Sequence, residues 1–329
     1  MAYPIPGPNL SDLPDDLMLE EYAGIVQTQF AANSIMREYA DIRPVLGTDT
    51  IFNNRMGKTT LKKLIPGVRP PAEETPFGKV SLTVDTVILA RDNRSMLNEF
   101  QTHFEVRSKL AKDHGIQLGK FFDQAFIIMA IKGSLAAAPV LGNPADPLSA
   151  QKQSIGAGKS ITLAAAGDED DPDILAQAIT DIITQMEEEE IPTEEIIVMV
   201  RPTKYQTLLN NNKLLSKDFS GANGDFAKGK VDTINGARIV KSARIPEAPV
   251  VDHFLSNAAN SNAYDLTGTQ ANAVAVIFHP DGLMAGETIP LQSNIFWSDI
   301  EKQWFIDSWM AFGVTIGRPD VCGAVFKTV

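Results

Sequence analysis

The stretch that decides the fold is Thr102-His-Phe-Glu-Val-Arg-Ser-Lys-Leu-Ala-Lys-Asp-His-Gly-Ile-Gln-Leu-Gly-Lys-Phe-Phe-Asp-Gln-Ala-Phe-Ile-Ile-Met-Ala-Ile-Lys132. It contains no proline, and Leu110, His114, Leu118, Phe121, Phe122, Ala125, Ile128 and Met129 recur near helical spacing. Thr102 and Glu105 have the spacing of a capping box, in which each side chain satisfies a backbone N–H at the helix start. The pattern predicts a helix over about 103–132, stopped by Gly133-Ser134. At 1.5 Å rise per residue such a rod spans roughly 45 Å, far longer than the average globular helix. Its length argues for a rod that also meets neighbours. Gly115 and Gly119 each cost about 1 kcal/mol relative to Ala, so a bend is expected there.

Upstream, Pro4, Pro6, Pro8 and Pro14 make residues 1–16 an extended arm, because proline fixes φ and donates no hydrogen bond. A helix is expected from about Leu17 to Arg37, with Ile25, Val26, Phe30 and Ile35 apolar. Residues 49–91 read as a two-stranded excursion. Ile51 and Phe52 open it, Pro66-Gly-Val-Arg-Pro-Pro71 turns it, and Lys79–Leu89 returns with a strand-like alternation at Val80, Leu82, Val84 and Thr86. Its first arm carries Arg55, Lys58, Lys62, Lys63 and Arg69 and no acid between residues 50 and 70. A ribbon with so few bulky apolar residues is marginal alone and is expected to lie on something else.

Downstream, 136–167 is rich in Gly, Ala and Ser and reads as a linker or loop. Pro172 starts a helix whose face comprises Ile174, Leu175, Ala178, Ile182, Ile183 and Met186. Ile196–Val200 is a short buried strand, and Pro202–Leu209 begins another helix. Asn223-Gly-Asp is read as a turn, Ile234–Lys241 as one strand and Ala273–Phe278 as another. Trp297, Trp304 and Trp309 all fall near the C-terminus, in a segment with the aromatic and β-branched content of long strands.

The chain has 329 residues and a formal net charge of -12. That excess sits between Asp168 and Glu195, where twelve of the 41 acids occur without one Lys or Arg, so the rest of the chain is balanced. The consecutive Glu187, Glu188, Glu189 and Glu190 would fan around a helix rather than converge, which marks a solvated face. No overall basic footprint for gripping nucleic acid exists. No apolar run approaches the ~20 residues that cross a bilayer, so no membrane partner is expected. The start lacks the pattern of a secretory signal. Cys322 is the single cysteine and cannot form an internal disulfide.

Catalytic and cofactor signals are thin. His103, His114, His253 and His279 have no metal-ligand spacing, and no metal or other cofactor is expected. Gln153-Ser-Ile-Gly-Ala-Gly-Lys-Ser160 imitates a phosphate-binding loop but has Gln where the first glycine is needed, and no apolar strand precedes it. Asp168-Glu-Asp-Asp-Pro-Asp173 lacks the turn glycine of a calcium loop. Nothing in these residues argues for catalysis.

The order of arm, helix, ribbon, rod helix, α/β middle and aromatic strands resembles the major capsid proteins of tailed bacteriophages (Caudoviricetes) with the Hong Kong-type fold. Within that family it is most similar to the short-tailed, autographivirus-like podophages. The residues concerned are Phe104–Ser108 with Gln117-Leu-Gly119, Ile191–Tyr205, Asn235-Gly236 with Ile239-Val240 and Ile245-Pro246, and above all Gly317-Arg-Pro-Asp-Val-Cys-Gly-Ala-Val-Phe-Lys327. The resemblance implies an α+β fold with an N-terminal arm (1–48), an E-loop hairpin (49–91) and a P domain (92–167) with its spine helix. An A domain (168–290) and C-terminal strands returning to the P domain (291–329) would follow. It implies a structural protein, not an enzyme, that assembles in the host cytoplasm into hexamers and pentamers of an icosahedral virion shell with triangulation number seven. Scaffolding protein and portal would be partners during assembly and procapsid maturation, and double-stranded DNA would be enclosed without sequence-specific contact. No covalent weld through an E-loop lysine is expected. Arg55, Lys58, Lys62, Lys63 and Arg69 are expected to meet a neighbour's acid-rich surface, with Glu187–Glu190 on the A domain. An encapsulin-like compartment shell is the alternative within the fold; a soluble α/β enzyme using residues 153–160 is the alternative outside it.

Overall fold

The computed structural model describes residues 14–69, 72–95, 105–142, 152–215, 224–225 and 229–328. Residues 1–13 of the expected arm, the Thr102 cap, His103, Phe104, the Pro70-Pro71 end of the ribbon tip and Asn223 lie outside the described residues. In chain order the elements are α1 (Pro14–Asn33), α2 (Met36–Tyr39), β1 (Ile42–Pro44), β2 (Thr50–Met56), β3 (Phe77–Thr83), β4 (Ile88–Ser95) and α3 (Glu105–Ser134). There follow β5 (Lys159–Thr162), α4 (Pro172–Glu187), β6 (Ile197–Val200), α5 (Pro202–Leu208), α6 (Asn212–Leu215), β7 (Gly224–Asp225) and β8 (Lys230–Val231). The last are β9 (Thr233–Ile234), β10 (Ala237–Lys241), β11 (Ala273–Phe278), β12 (Leu283–Ser298), β13 (Gln303–Ile316) and β14 (Cys322–Phe326).

The chain forms two compact units. One comprises the described residues up to Asp49 with Val84–Asp123 and Gly286–Gly313. Its four-stranded sheet runs β1-β12-β13-β4. Its core is aromatic: Phe122 packs edge-on to Phe30 at 5.6 Å between ring centroids and lies 4.8 Å from Phe312. Burying rings of this size dominates the local energetics, and edge-on pairs add about 0.5–1.5 kcal/mol beyond area. Gly115 serves this packing directly. A Cβ there would lie 2.6 Å from the Val26 carbonyl oxygen and 2.8 Å from Gln29 Cβ, so only glycine lets α1 approach α3 this closely.

The turn between α1 and α2 is held from α3 by Asp123, which is fully buried. Its carboxylate accepts from the Ser34 hydroxyl at 2.8 Å, the Ile35 N–H at 2.8 Å and the Met36 N–H at 3.1 Å. Asp123→Ala would strand three donors, two of them buried, so it is expected to cost about 2–4 kcal/mol, and Asp123→Asn clearly less. Thermal unfolding of the two variants side by side measures this.

The second unit comprises Thr50–Thr83, Gln124–Ala285 and Val314–Val329. Its six-stranded sheet runs β5-β14-β11-β6-β10-β9 and is mixed, with β5–β14 and β6–β10 parallel and β14–β11–β6 antiparallel. All residues of β6, β11 and β14 are buried. Helix α4 covers this sheet through Leu175, Ile179, Ile182, Ile183 and Met186, packed with Val198, Val200, Ile277 and Val325. It starts where the sequence dictates. The Asp171 side chain accepts from the Asp173 and Ile174 N–H groups at 2.9 and 3.2 Å, and Pro172 occupies the first turn, where a missing N–H costs nothing.

Several expectations are corrected. The extended arm expected over 1–16 gives way at Pro14, which opens α1 because a helix's first turn tolerates proline, and the single helix expected over Leu17–Arg37 breaks between Asn33 and Met36 into α1 and α2. The expected linker 136–167 contains β5, so Lys159 and Ser160 of the phosphate-loop mimic are sheet residues. The return arm is two strands rather than one. Its alternation continues through Val84 and Thr86, but Phe77–Thr83 pairs with β2 while Ile88–Ser95 pairs with β13, and the change of partner interrupts the ladder. Ile234–Lys241 is a hairpin: Asn235 and Gly236 have φ of 47° and 85°, a two-residue turn that joins β9 to β10. Gly224-Asp225, expected in a turn, pairs with Lys230-Val231. Ile174 is exposed rather than part of the covered face. Helix α4 ends at Glu187, so Glu188, Glu189 and Glu190 lie in the following turn, with Glu190 at φ 64°.

Candidate self-assembly surface

The excursion is the feature that packing within the chain leaves unexplained. Strands β2 and β3 pair only with each other, in register from Thr50↔Thr83 to Met56↔Phe77. The strand pleat sends alternate side chains to opposite faces. One face carries Ile51, Val80 and Leu82, which are half-buried or buried. The other carries Phe52, Met56 and Phe77, all exposed. Beyond the ladder Leu61 is 93% exposed and Leu64 72%, with Ile65 and Val68 exposed as well. Seven large apolar side chains thus face solvent between residues 52 and 77. Scattered exposed apolar residues are ordinary, but a concentration of this kind marks a contact surface.

The basic residues of the excursion divide. Arg55 is held inside its own chain: its guanidinium donates to the Ile316 carbonyl at 3.1 Å and to the Gly317 carbonyl. Lys62 pairs with Glu73 of the same excursion at 2.5 Å. Lys58, Lys63 and Arg69 are exposed. In the acidic window every acid is exposed except the half-buried Asp168 and Glu169. Lys204 reaches Asp170 at 2.6 Å, Lys159 pairs with Glu189, and His279 Nε2 lies 2.9 Å from a Glu195 carboxylate oxygen. Glu187 at the end of α4 and Glu188, Glu189 and Glu190 in the turn after it therefore form a solvated run, one member of which is tied to β5.

One constellation has the residue types of a nucleophilic triad and was not read from the sequence. His114 Nδ1 is 3.2 Å from Ser308 Oγ and 2.9 Å from the Tyr22 hydroxyl, and its Nε2 is 3.0 Å from Asp92 Oδ2. Ser308 is 0% exposed, so no substrate carbonyl can reach its oxygen. The cluster joins α1, α3, β4 and β13 as a hydrogen-bond network buried except at Asp92, and burial pushes the Tyr22 hydroxyl pKa up to about 12. His253 stacks on Tyr264 at 5.5 Å, and burial lowers its pKa to about 4, which keeps it neutral. Burial also pushes the Cys322 thiol up to about 12, far from a reactive thiolate. Among the described residues, no three His, Cys, Asp or Glu side chains converge in a way that could hold a metal ion. No helix among them is long and apolar enough to cross a membrane.

Comparison with known proteins places the chain in a family. Residues 83–285 match the family model described as Gp10A-like major capsid protein. The asymmetric unit of the bacteriophage PhiM1 mature capsid is similar at 27% identity and a TM-score of 0.76, covering 90% of this chain and 87% of that one. The capsid of the cyanophage P-SCSP1u is similar at 19% identity and 0.77, covering 90% and 88%. A virus-like particle from Pyrococcus furiosus shares the fold at 12% identity and 0.54, covering 95% and 100%. No curated protein matches the chain. The molecule is a shell subunit of the Hong Kong-type capsid fold, with α3 as its spine helix. It belongs to the Gp10A-like family of major capsid proteins, a structural, non-enzymatic family whose members build the phage capsid.

Proposed function

We propose that this chain forms the icosahedral shell of a short-tailed, autographivirus-like phage, as hexamers and pentamers with triangulation number seven. Double-stranded DNA is enclosed, and scaffolding protein and portal take part in assembly. The observation that supports this reading best is the exposed apolar excursion, an E-loop on which Leu61 and Leu64 are largely exposed. Burying such side chains against a second copy yields about 1.5–3 kcal/mol each, repeated at every equivalent contact. The similarity to the PhiM1 mature capsid over most of both chains supports it too. In this reading residues 92–167 form the P domain, 168–290 the A domain, and 291–329 return to the P domain.

Charge sets register in the same contact. Lys58, Lys63 and Arg69, with Lys62 beside its own Glu73, face the acid-rich window of a neighbour, and Glu187–Glu190 lie outward or across that contact rather than against DNA. Surface pairs contribute at most about 1 kcal/mol each, so the effect is on register and salt sensitivity more than on stability. The triple variant Lys58→Glu, Lys62→Glu, Lys63→Glu is expected to lower particle yield and to alter its salt dependence. Unchanged yield and salt response would remove this part of the proposal. Cryo-electron microscopy of particles from co-expression with scaffolding protein tests the triangulation number directly.

A further inference from the structure

We propose that residues 152–154, which follow the long helix in sequence, form a clasp that holds both arms of the excursion, with Lys152 as its positioning residue. The clasp engages where the ribbon's own ladder stops, at Met56↔Phe77. On the first arm, the Lys58 N–H donates to the Lys152 carbonyl at 2.8 Å and the Ser154 hydroxyl donates to the Met56 carbonyl at 2.5 Å. On the return arm, the Lys152 ammonium donates to the Glu74 carbonyl at 2.7 Å and lies 3.3 Å from the Glu73 carboxylate. Lys62 reaches that same carboxylate from the first arm, and the Gly57 N–H closes onto the Pro76 carbonyl at 2.8 Å.

The Lys152 side chain is only 5% exposed. An ammonium withdrawn from water is tolerated only where hydrogen bonds and an opposite charge replace its hydration, so its burial reports a committed contact. The consequence concerns Leu61, Leu64 and Ile65. A clasped excursion presents them already ordered, and association with a second copy then loses less conformational entropy. That consequence rests on the E-loop reading above; the clasp itself does not.

Acid should loosen the clasp. Lys62, then Lys152, hold the Glu73 carboxyl below its ordinary range. A carboxylate depressed in the folded state contributes stability above its unfolded pKa and loses it as pH falls through the folded value.

Hydrogen exchange on the full-length chain, kept unassembled at low concentration, tests the inference. Lys152→Ala is expected to speed exchange at Gly57 and Lys58 by about tenfold or more, with β6 and β11 unchanged. Lys152→Arg should restore most of the protection, and Ser154→Ala should produce a smaller change in the same direction. Unchanged exchange at Gly57 and Lys58 in folded Lys152→Ala would overturn the clasp. So would acceleration spreading equally into β6 and β11, since Lys152 would then be a general packing residue. If Lys152→Ala does not fold, Ser154→Ala decides by the same criterion. Particle yield is read separately. Fast exchange with lost yield supports both the clasp and the preformed contact, whereas fast exchange with full yield supports the clasp and overturns the contact.

Discussion

Gly158→Ala is expected to destabilise the six-stranded sheet by about 3–5 kcal/mol. A Cβ at this position would lie 2.5 Å from the Ser134 carbonyl carbon and 2.6 Å from its oxygen. Both are backbone atoms at the end of α3, and backbone cannot rotate aside as a side chain can. The Gly158 N–H also donates to the Ala136 carbonyl at 2.9 Å, so the glycine is pinned from two directions. Relief of the clash would have to come from β5, an edge strand only four residues long. Calorimetry should record a Tm lower by about 10 °C, at the scale of a few degrees per kcal/mol for a domain of this size. A change of less than about 1 °C would contradict the packing role. The same result separates packing from phosphate binding, because the glycine of the phosphate-loop mimic is filled by the helix end and not by a ligand.

Leu61→Asp combined with Leu64→Asp is expected to abolish assembly while leaving the subunit folded. Both side chains are largely exposed, so the cost to the isolated subunit should stay within about 0.5 kcal/mol per site. In an assembled shell the same changes would remove two apolar contacts per subunit and bury two carboxylates in their place. A penalty of about 3–6 kcal/mol per contact corresponds to more than a hundredfold loss of association. Circular dichroism should match the parent chain, and sedimentation should show no particles. Particles at normal yield would mean that the excursion's apolar residues are not buried between subunits.

Much of this was legible in the sequence, for identifiable reasons. The rod helix and α4 could be read because a period near 3.6, a proline-free interior and, for α4, Asp171-Pro172 at its start all agree. Strand β11 could be read because it is buried on both faces and therefore continuously apolar. Strand β5 could not: its four residues alternate over a Gly-rich flank, and its partner β14 lies far along the chain. The Asn235-Gly236 hairpin carried a turn signal that the surrounding β-branched residues concealed. The split of the return arm carried no local signal at all, because the alternation that suits β3 suits β4 equally.

The contact surface was half legible. Lys58, Lys63 and Arg69 stood out by charge and are exposed, whereas the pairing of Lys62 with Glu73 depends on how the arms cross beyond the ladder, which no periodicity encodes. Leu61, Leu64 and Ile65 are the exposed apolar residues that a charge-based reading overlooked. Their i, i+3, i+4 spacing, an apolar stripe in a Lys-rich run that Pro66 keeps from being a regular helix, was the available clue. Lys152 could not have been found, since a lone lysine in a Gly- and Ser-rich stretch reads as solvated.

The central claim is that this chain is a self-assembling shell subunit. Negative-stain electron microscopy of the purified full-length protein, expressed with and without a scaffolding partner, tests it most directly. Closed, uniform icosahedral particles are expected, and their formation should be lost in the Leu61→Asp, Leu64→Asp variant. A folded parent chain that remained monomeric under both conditions and at every concentration would contradict it.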